Sequence, residues 1–159
     1  MEKCLYVSDL DGTLLRSDET VSGYTCEVIN QLTKKGILFS YATARSYVTA
    51  KKVTKGLHAK IPLIVYNGAF VIDNVTEEVL ISNYFHDDIH KVLEELFDSG
   101  IYPIVYSCID TMEYFSFIPA KCKKGMWEFL NTRKGDRRWR EVQNTEDLKR
   151  GNMFYVTCI

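Results

Sequence analysis

No run of about 18 apolar residues occurs in this sequence, so no membrane-spanning helix and no membrane partner is expected. A secretory leader is not indicated either, because Asp9 and Asp11 break the first apolar stretch. Charge of one sign is lacking as well. Twenty Lys and Arg stand against 21 Asp and Glu, a formal net charge of −1, which removes any global field for nucleic acid or anionic lipid. The five cysteines (Cys4, Cys26, Cys108, Cys122, Cys158) form no C-x-x-C pair, and their number is odd. That fits a reducing, cytoplasmic compartment better than a disulfide framework, and no zinc-site spacing appears. His86 and His90 have the i, i+4 spacing of a metal pair, but no third ligand is near them in sequence, and they read as surface residues. No G-x-G-x-x-G follows the first apolar run, which sets aside a dinucleotide site. No stretch is rich enough in Pro, Gly or Ser to serve as a long linker, and no repeat is visible.

What is present begins with Val7-Ser8-Asp9-Leu10-Asp11-Gly12-Thr13-Leu14. Cys4–Val7 is continuously apolar, as in a parallel strand covered on both faces. Ser22 can cap a helix from Gly23 to about Lys35, with Thr25, Val28, Ile29 and Leu32 inward and Gly36 as its stop. Ile37–Ala42 reads as a second strand. Ser46 then caps a short helix that turns Ala50, Val53 and Leu57 inward, and Leu63–Tyr66 is a third strand. The order β-α-β-α-β predicts a parallel, doubly wound α/β sheet.

After Asn67-Gly68 the pattern changes. Ala69–Ile72 and Val79–Ile81 read as a hairpin, and Asp87 or Asp88 caps a helix bearing Ile89, Val92, Leu93 and Leu96. Ile101–Tyr106 is expected at a sheet edge because Pro103 lacks an N–H, and Met112–Ile118 is its neighbour in sequence. A helix over Ala120–Leu130, a strand over Arg138–Val142, a helical turn at Thr145–Leu148 and a strand from Met153 to Ile159 complete the reading. A boundary near Asn83 divides the chain into an α/β core, residues 1–82, and an α+β module, residues 83–159.

Ligands of open α/β sheets bind at the carboxyl ends of strands. Asp9 and Asp11, spaced i, i+2, both reach that edge, and Gly12 permits a tight turn there. Two adjacent carboxylates repel unless a hard cation such as Mg²⁺ or a retained proton relieves them. Either solution suits phosphoryl transfer: one carboxylate attacks phosphorus, and its neighbour handles the proton. The N–H groups from Leu10 to Thr13 can cradle phosphate oxygens as a nest does. The bland alternative makes both aspartates simple loop or capping residues. A bare D-x-D is weak, but D-x-D-G-T after an apolar strand is far more specific.

The segment Val7–Leu15 resembles motif I of the haloacid dehalogenase (HAD) superfamily, and Tyr41-Ala-Thr-Ala-Arg-Ser46 resembles its motif II. Val65-Tyr-Asn-Gly-Ala69 is similar to the segment after the third strand in the Cof-like, type IIB sugar-phosphatase branch. The resemblance implies a HAD-like Rossmannoid core with an α+β cap. It further implies a Mg²⁺-dependent phosphatase of small phosphorylated metabolites, working through an aspartyl-phosphate. By this resemblance Asp9 is the nucleophile and Asp11 the general acid/base, both help hold Mg²⁺ (Asp11 through its main-chain carbonyl), and Thr43 hydrogen-bonds the phosphoryl group. Leu10 and Ala44 line the phosphate site, and Ala44 stands where the family usually has Gly. Arg45 either reaches substrate phosphate or forms a surface ion pair. Asn67 either offers its amide to the phosphate or serves as a turn residue tolerating a left-handed backbone.

The same resemblance calls for a lysine motif and an acidic G-D loop, and neither occurs in a fitting context: Gly135-Asp136 lies within the cap region and follows no apolar strand. The expectation is therefore an incomplete core with a partial cap, whose first strand becomes an open edge prone to self-association. The alternative reading is a catalytically incompetent HAD domain used for assembly or binding. Residues 121–140 carry eight basic side chains with Trp127 and Trp139 among them. A solvated cap face, or one attracting an anionic substrate, accounts for them better than a nucleic-acid patch.

Overall fold

A computed structural model describes residues 4–159. The chain forms two compact units, Met1–Asn83 and Tyr84–Ile159.

In the first unit β1 (Leu5–Ser8) leads through a wide turn to α1 (Gly23–Lys34), β2 (Leu38–Tyr41), α2 (Tyr47–Val53) and β3 (Leu63–Val65). β1 and β2 are parallel, with Ser8 opposite Tyr41, and one parallel bridge from Ala42 to Ile64 joins β2 to β3. The chain then reverses into an antiparallel hairpin of β4 (Phe70–Ile72) and β5 (Val79–Ser82) beside β3. Asp73 holds the hairpin loop by accepting from the N–H groups of Val75 and Thr76. Ser22 and Ser46 cap α1 and α2 by accepting from the N–H groups of Thr25 and Thr49, satisfying donors that a helix start leaves unpaired. Leu10, Cys26, Tyr41, Ala50 and Leu63 form the heart of this unit's core.

The open first strand expected of an incomplete core is present: among the described residues β1 pairs with β2 alone, and Leu5, Tyr6 and Val7 are 49%, 55% and 46% exposed. One detail differs from expectation. In α1 the buried residue is Cys26, and Leu32 is exposed. Polar contacts set that rotation, because Asn30 donates to the Gly56 carbonyl and accepts from the His58 N–H.

The second unit is a four-stranded sheet flanked by helices. Its elements are α3 (Asp88–Asp98), β6 (Ile104–Ile109), β7 (Met112–Phe117), α4 (Lys124–Asn131), β8 (Trp139–Glu141), α5 (Thr145–Leu148) and β9 (Asn152–Thr157). The strand order is β8-β7-β6-β9, antiparallel except for the parallel β7–β8 pair. Leu93 and Phe97 of α3 and Leu148 of α5 pack with Val105 and Met153. Side chains alternate along a strand, so Phe115 and Phe117 face the other way, where Trp127 of α4 meets Phe117 edge-on at 6.0 Å.

β6 is central, not an edge, because Pro103 precedes its first paired residue, Ile104, and its missing N–H breaks no ladder bond. The expected helix over Ala120–Leu130 is broken. A 3₁₀ turn, Pro119–Lys121, is followed by extended backbone at Cys122 and Lys123 before α4 begins. Asp87 sits at the start of α3 but makes no side-chain cap, since its own backbone is already helical. Val92, expected inward on α3, is exposed. β9 ends at Thr157 rather than running to Ile159. Part of the basic segment is structural. Arg138 is buried between Glu113 and Asp136, and Arg140 donates to the Ser116 hydroxyl and the Asp147 carbonyl.

Candidate active site

Three neighbouring chain segments deliver the candidate residues at the carboxyl ends of β1, β2 and β3. Asp9 follows Ser8, whose carbonyl accepts the Ala42 N–H at 2.9 Å. Thr43 donates its N–H to the Ile64 carbonyl at 3.0 Å and accepts the Asn67 N–H at 3.0 Å. Arg45 accepts the Tyr66 N–H at 3.0 Å. Main-chain bonds thus stitch the 43–45 loop to both flanking segments.

The turn after β1 is shaped for close approach. Asp9 is extended (φ −73°, ψ 162°), and the loop from Leu10 to Leu14 closes with Leu15 N–H on the Leu10 carbonyl at 2.8 Å. Gly12 has φ +74°, the left-handed region that a side chain resists. The Asp9 side chain accepts the Leu10 N–H at 2.7 Å, so this N–H is committed to Asp9, and the Leu10 side chain is fully buried in the core. The Leu10 main chain thus helps to orient the Asp9 carboxylate. Asp9, Asp11 and Ala44 are exposed, while Thr43 is buried.

Arg45 adopts the ion-pair alternative. Its Nε donates to Asp11 Oδ2 at 2.8 Å and its Nη2 to Asp11 Oδ1 at 2.6 Å, and Nη2 also reaches Glu19 Oε2 at 3.1 Å. The hydrogen bonds from Arg45 hold the Asp11 carboxyl below its ordinary range, against a smaller opposing effect of burial, and the Arg45 charge adds to the lowering. Arg45 is correspondingly raised, first by Asp11 and then by Glu19. The backbone of Arg45 is fixed too, since its N–H donates to Thr43 Oγ1 at 3.1 Å.

Tyr66, Asn67 and Gly68 have φ of +50°, +54° and +93°, three left-handed residues in a row. Such a conformation at a buried tyrosine costs on the order of 1–3 kcal/mol and persists only where the surroundings enforce it. The bonds from Tyr66 N–H to Arg45 and from Asn67 N–H to Thr43 supply that enforcement. Asn67 takes the left-handed turn geometry, and its side chain is exposed at the same edge.

The donor set at this edge is oxygen only, which suits a hard cation such as Mg²⁺. Asp9 and Asp11 supply it, with no cluster of three or more His, Cys, Asp or Glu among the described residues. Arg45 occupies both oxygens of the Asp11 carboxylate. A cavity of about 390 Å³ lies at the amino ends of β2 and β3, lined by Lys34, Phe39, His58, Lys60 and their neighbours. It is at the opposite end of the strands from Asp9 and contains none of the candidate residues.

The sequence pattern missed Glu19. It lies in the Arg16–Thr20 turn, where no periodicity or motif marks it, and only the fold brings it to Arg45.

Residues 6–157 match the model of a family described as haloacid dehalogenase-like hydrolase. A Buchnera aphidicola protein is 41% identical over 92 residues, covering 58% of this chain and 33% of its own length. The 5-amino-6-(5-phospho-D-ribitylamino)uracil phosphatase YitU of Bacillus subtilis is 31% identical over 110 residues, covering 59% of this chain and 40% of YitU. The structure of SMU.1108c from Streptococcus mutans superposes with a TM-score of 0.73 at 19% identity, over 97% of this chain and 56% of that one. The match thus spans less than half the length of these two sequence relatives and a little over half of the structural one.

Proposed function

We propose, on the premise that this chain belongs to the haloacid dehalogenase-like hydrolase family, that it works as a phosphatase of small phosphorylated metabolites such as sugar phosphates. The observation that carries this reading is the delivery of Asp9, Thr43 and Asn67 to one sheet edge from three hydrogen-bonded chain segments.

Asp9 is the nucleophile in this proposal. Its carboxylate oxygen bonds to phosphorus while the ester P–O bond breaks, and the departing oxygen takes a proton from the Asp11 carboxyl. Water then attacks the phosphoryl group, its proton passes to Asp11, the Asp9–phosphorus bond breaks, and inorganic phosphate leaves. Arg45 lowers the Asp11 pKa, which makes Asp11 a stronger acid for the first half; having given up its proton, it enters the second half as the carboxylate that accepts one. Thr43 donates its hydroxyl to the phosphoryl oxygens, and Asn67 presents its amide from the neighbouring loop. Mg²⁺ would be held by Asp9 and the Asp11 carbonyl and would offset the charge on the phosphoryl group.

The test is Mg²⁺-dependent hydrolysis of an aryl phosphate by this chain and by Asp9→Asn. Turnover that disappears in the variant while the fold is kept supports the reading, and equal turnover in both ends it. A second reading, an assembly module on the same fold, is favoured by the open, apolar edge of β1. Robust turnover by a monomer would exclude that alternative.

A further inference from the structure

We propose that Glu19 is a positioning residue: its carboxylate fixes the Arg45 guanidinium flat against Asp11 and so sets the orientation of the Asp11 carboxylate. The proposal rests on the reading of Asp11 as the proton-handling group. Arg45 Nη2 carries two hydrogens, one for Asp11 Oδ1 at 2.6 Å and one for Glu19 Oε2 at 3.1 Å. The guanidinium is planar, so fixing Nη2 from a second side also fixes the Nε–H that bonds Asp11 Oδ2 at 2.8 Å.

Glu19 reaches this place because of a strained turn. Arg16 N–H donates to the Thr20 carbonyl at 3.0 Å, and Glu19 N–H donates to the Arg16 carbonyl at 2.9 Å. Asp18 Oδ1 accepts from both the N–H and the hydroxyl of Thr20, closing the turn from the side. Within it Glu19 has φ +57°, a region that a residue with a Cβ enters at a cost. The main chain of Arg45 is already fixed by Thr43 and Tyr66, so the freedom that remains lies in the side chain, which Asp11 holds from one side and Glu19 from another. Without Glu19, Arg45 keeps one partner and can swing toward solvent or an incoming anion.

The experiment is ¹⁵N NMR of the full chain, reading hydrogen exchange at Arg45 Nε–H. Glu19 does not touch that atom, so a change there reports transmission through the guanidinium. Glu19→Gln keeps the side-chain length and removes the charge; exchange should quicken about two- to fivefold, the size of an exposed charge pair. Glu77→Gln is the control, because Glu77 also has positive φ and pairs with Lys51 away from Arg45. Glu19→Gly removes the acceptor altogether, so its change should equal or exceed that of Glu19→Gln, whose amide oxygen can still accept from Nη2. Wild-type exchange in Glu19→Gly overturns the proposal. In the aryl phosphate assay Glu19→Gln should lower kcat by a similar factor with KM unchanged. Absence of hydrolysis by the wild-type chain would refute the phosphatase reading, while the exchange measurement would still decide the role of Glu19.

Discussion

Arg45 grips Asp11 with two parallel hydrogen bonds, from Nε at 2.8 Å and from Nη2 at 2.6 Å, and so ties the turn after β1 to the loop after β2 through side chains. Paired bonds of this fork type are stronger and more directional than single ones. The consequence is chemical as well as structural. Arg45 lowers the Asp11 pKa and so favours the ionised carboxylate.

Arg45→Ala should therefore raise the Asp11 pKa toward its ordinary value. The half-reaction that kcat/KM reports takes a proton from Asp11, so the basic limb of the kcat/KM profile moves to higher pH. The stability effect has the opposite bearing on pH. A depressed folded-state pKa adds stability above the unfolded value, which is lost as pH falls through the folded one. Asp11 is more than half exposed, so that contribution is small, and the pH–rate profile is the sensitive measurement.

Thr43→Val should separate the hydroxyl from the shape of the side chain. Thr43 is buried, and its Oγ1 accepts the Arg45 N–H, so valine fills the space but leaves that N–H without its acceptor. Losing a hydroxyl that donates to the transferring phosphoryl group costs roughly 10²-fold in kcat. Thr43→Ser should keep most of the rate. Equal rates for Val and Ser variants would remove Thr43 from the phosphate site.

Much of this was legible in the sequence because the signals were local. Ser22 and Ser46 announce their helices by chemistry that acts within three residues, and both cap as expected. The errors arose where distant partners decide. Pro103 marks an edge only if the strand begins before it, and here pairing starts at Ile104. The inward face of α1 shifts to Cys26 because Asn30 must reach Gly56 and His58, far along the chain. The candidate site divides in the same way. Asp9, Asp11 and Thr43 stand in motifs, but the partners of Arg45, and Glu19 above all, follow from tertiary geometry.

Arg138→Ala should destabilise the second unit by about 3 kcal/mol, because it leaves Asp136 and Glu113 without their buried counter-charge. The Arg138 side chain is 6% exposed and lies 2.6 Å from Asp136 and 2.7 Å from Glu113. Hydrogen bonds from Arg138 lower the Asp136 pKa. Its stabilising effect is thus full above the unfolded carboxylate value and is lost as pH falls through the lowered one. Denaturant melts across that acidic window should show a steeper loss for wild type than for the variant. Parallel curves would contradict this account of the pair.

Gly151→Ala should cost the same unit about 2–4 kcal/mol, from a left-handed backbone and from overpacking together. Gly151 has φ +84°, and a Cβ built there lies 2.5 Å from the Cys108 carbonyl oxygen, a main-chain atom that cannot step aside. Gly135→Ala is the comparison: it has φ +86° but open space around it, so it should show the backbone cost alone. Urea midpoints of the two variants separate strain from collision, and equal losses would mean that the Cys108 contact relaxes freely.

An exposed strand edge offers unpaired N–H and C=O groups to any partner strand, and proteins commonly blunt such edges with charge. β1 carries no such guard: its sequence is Leu5-Tyr6-Val7-Ser8, and the first three side chains are about half exposed. This chain should therefore associate with itself as concentration rises, through β1 pairing that sedimentation velocity would detect as a growing heavier species. Val7→Lys puts a charge on the edge without emptying the core, since Val7 is not part of the buried cluster. It should return the chain to monomer with an unchanged urea midpoint. A wild-type chain that stays monomeric over the whole range, or a Val7→Lys variant that associates equally well, would show that the β1 edge is not the contact.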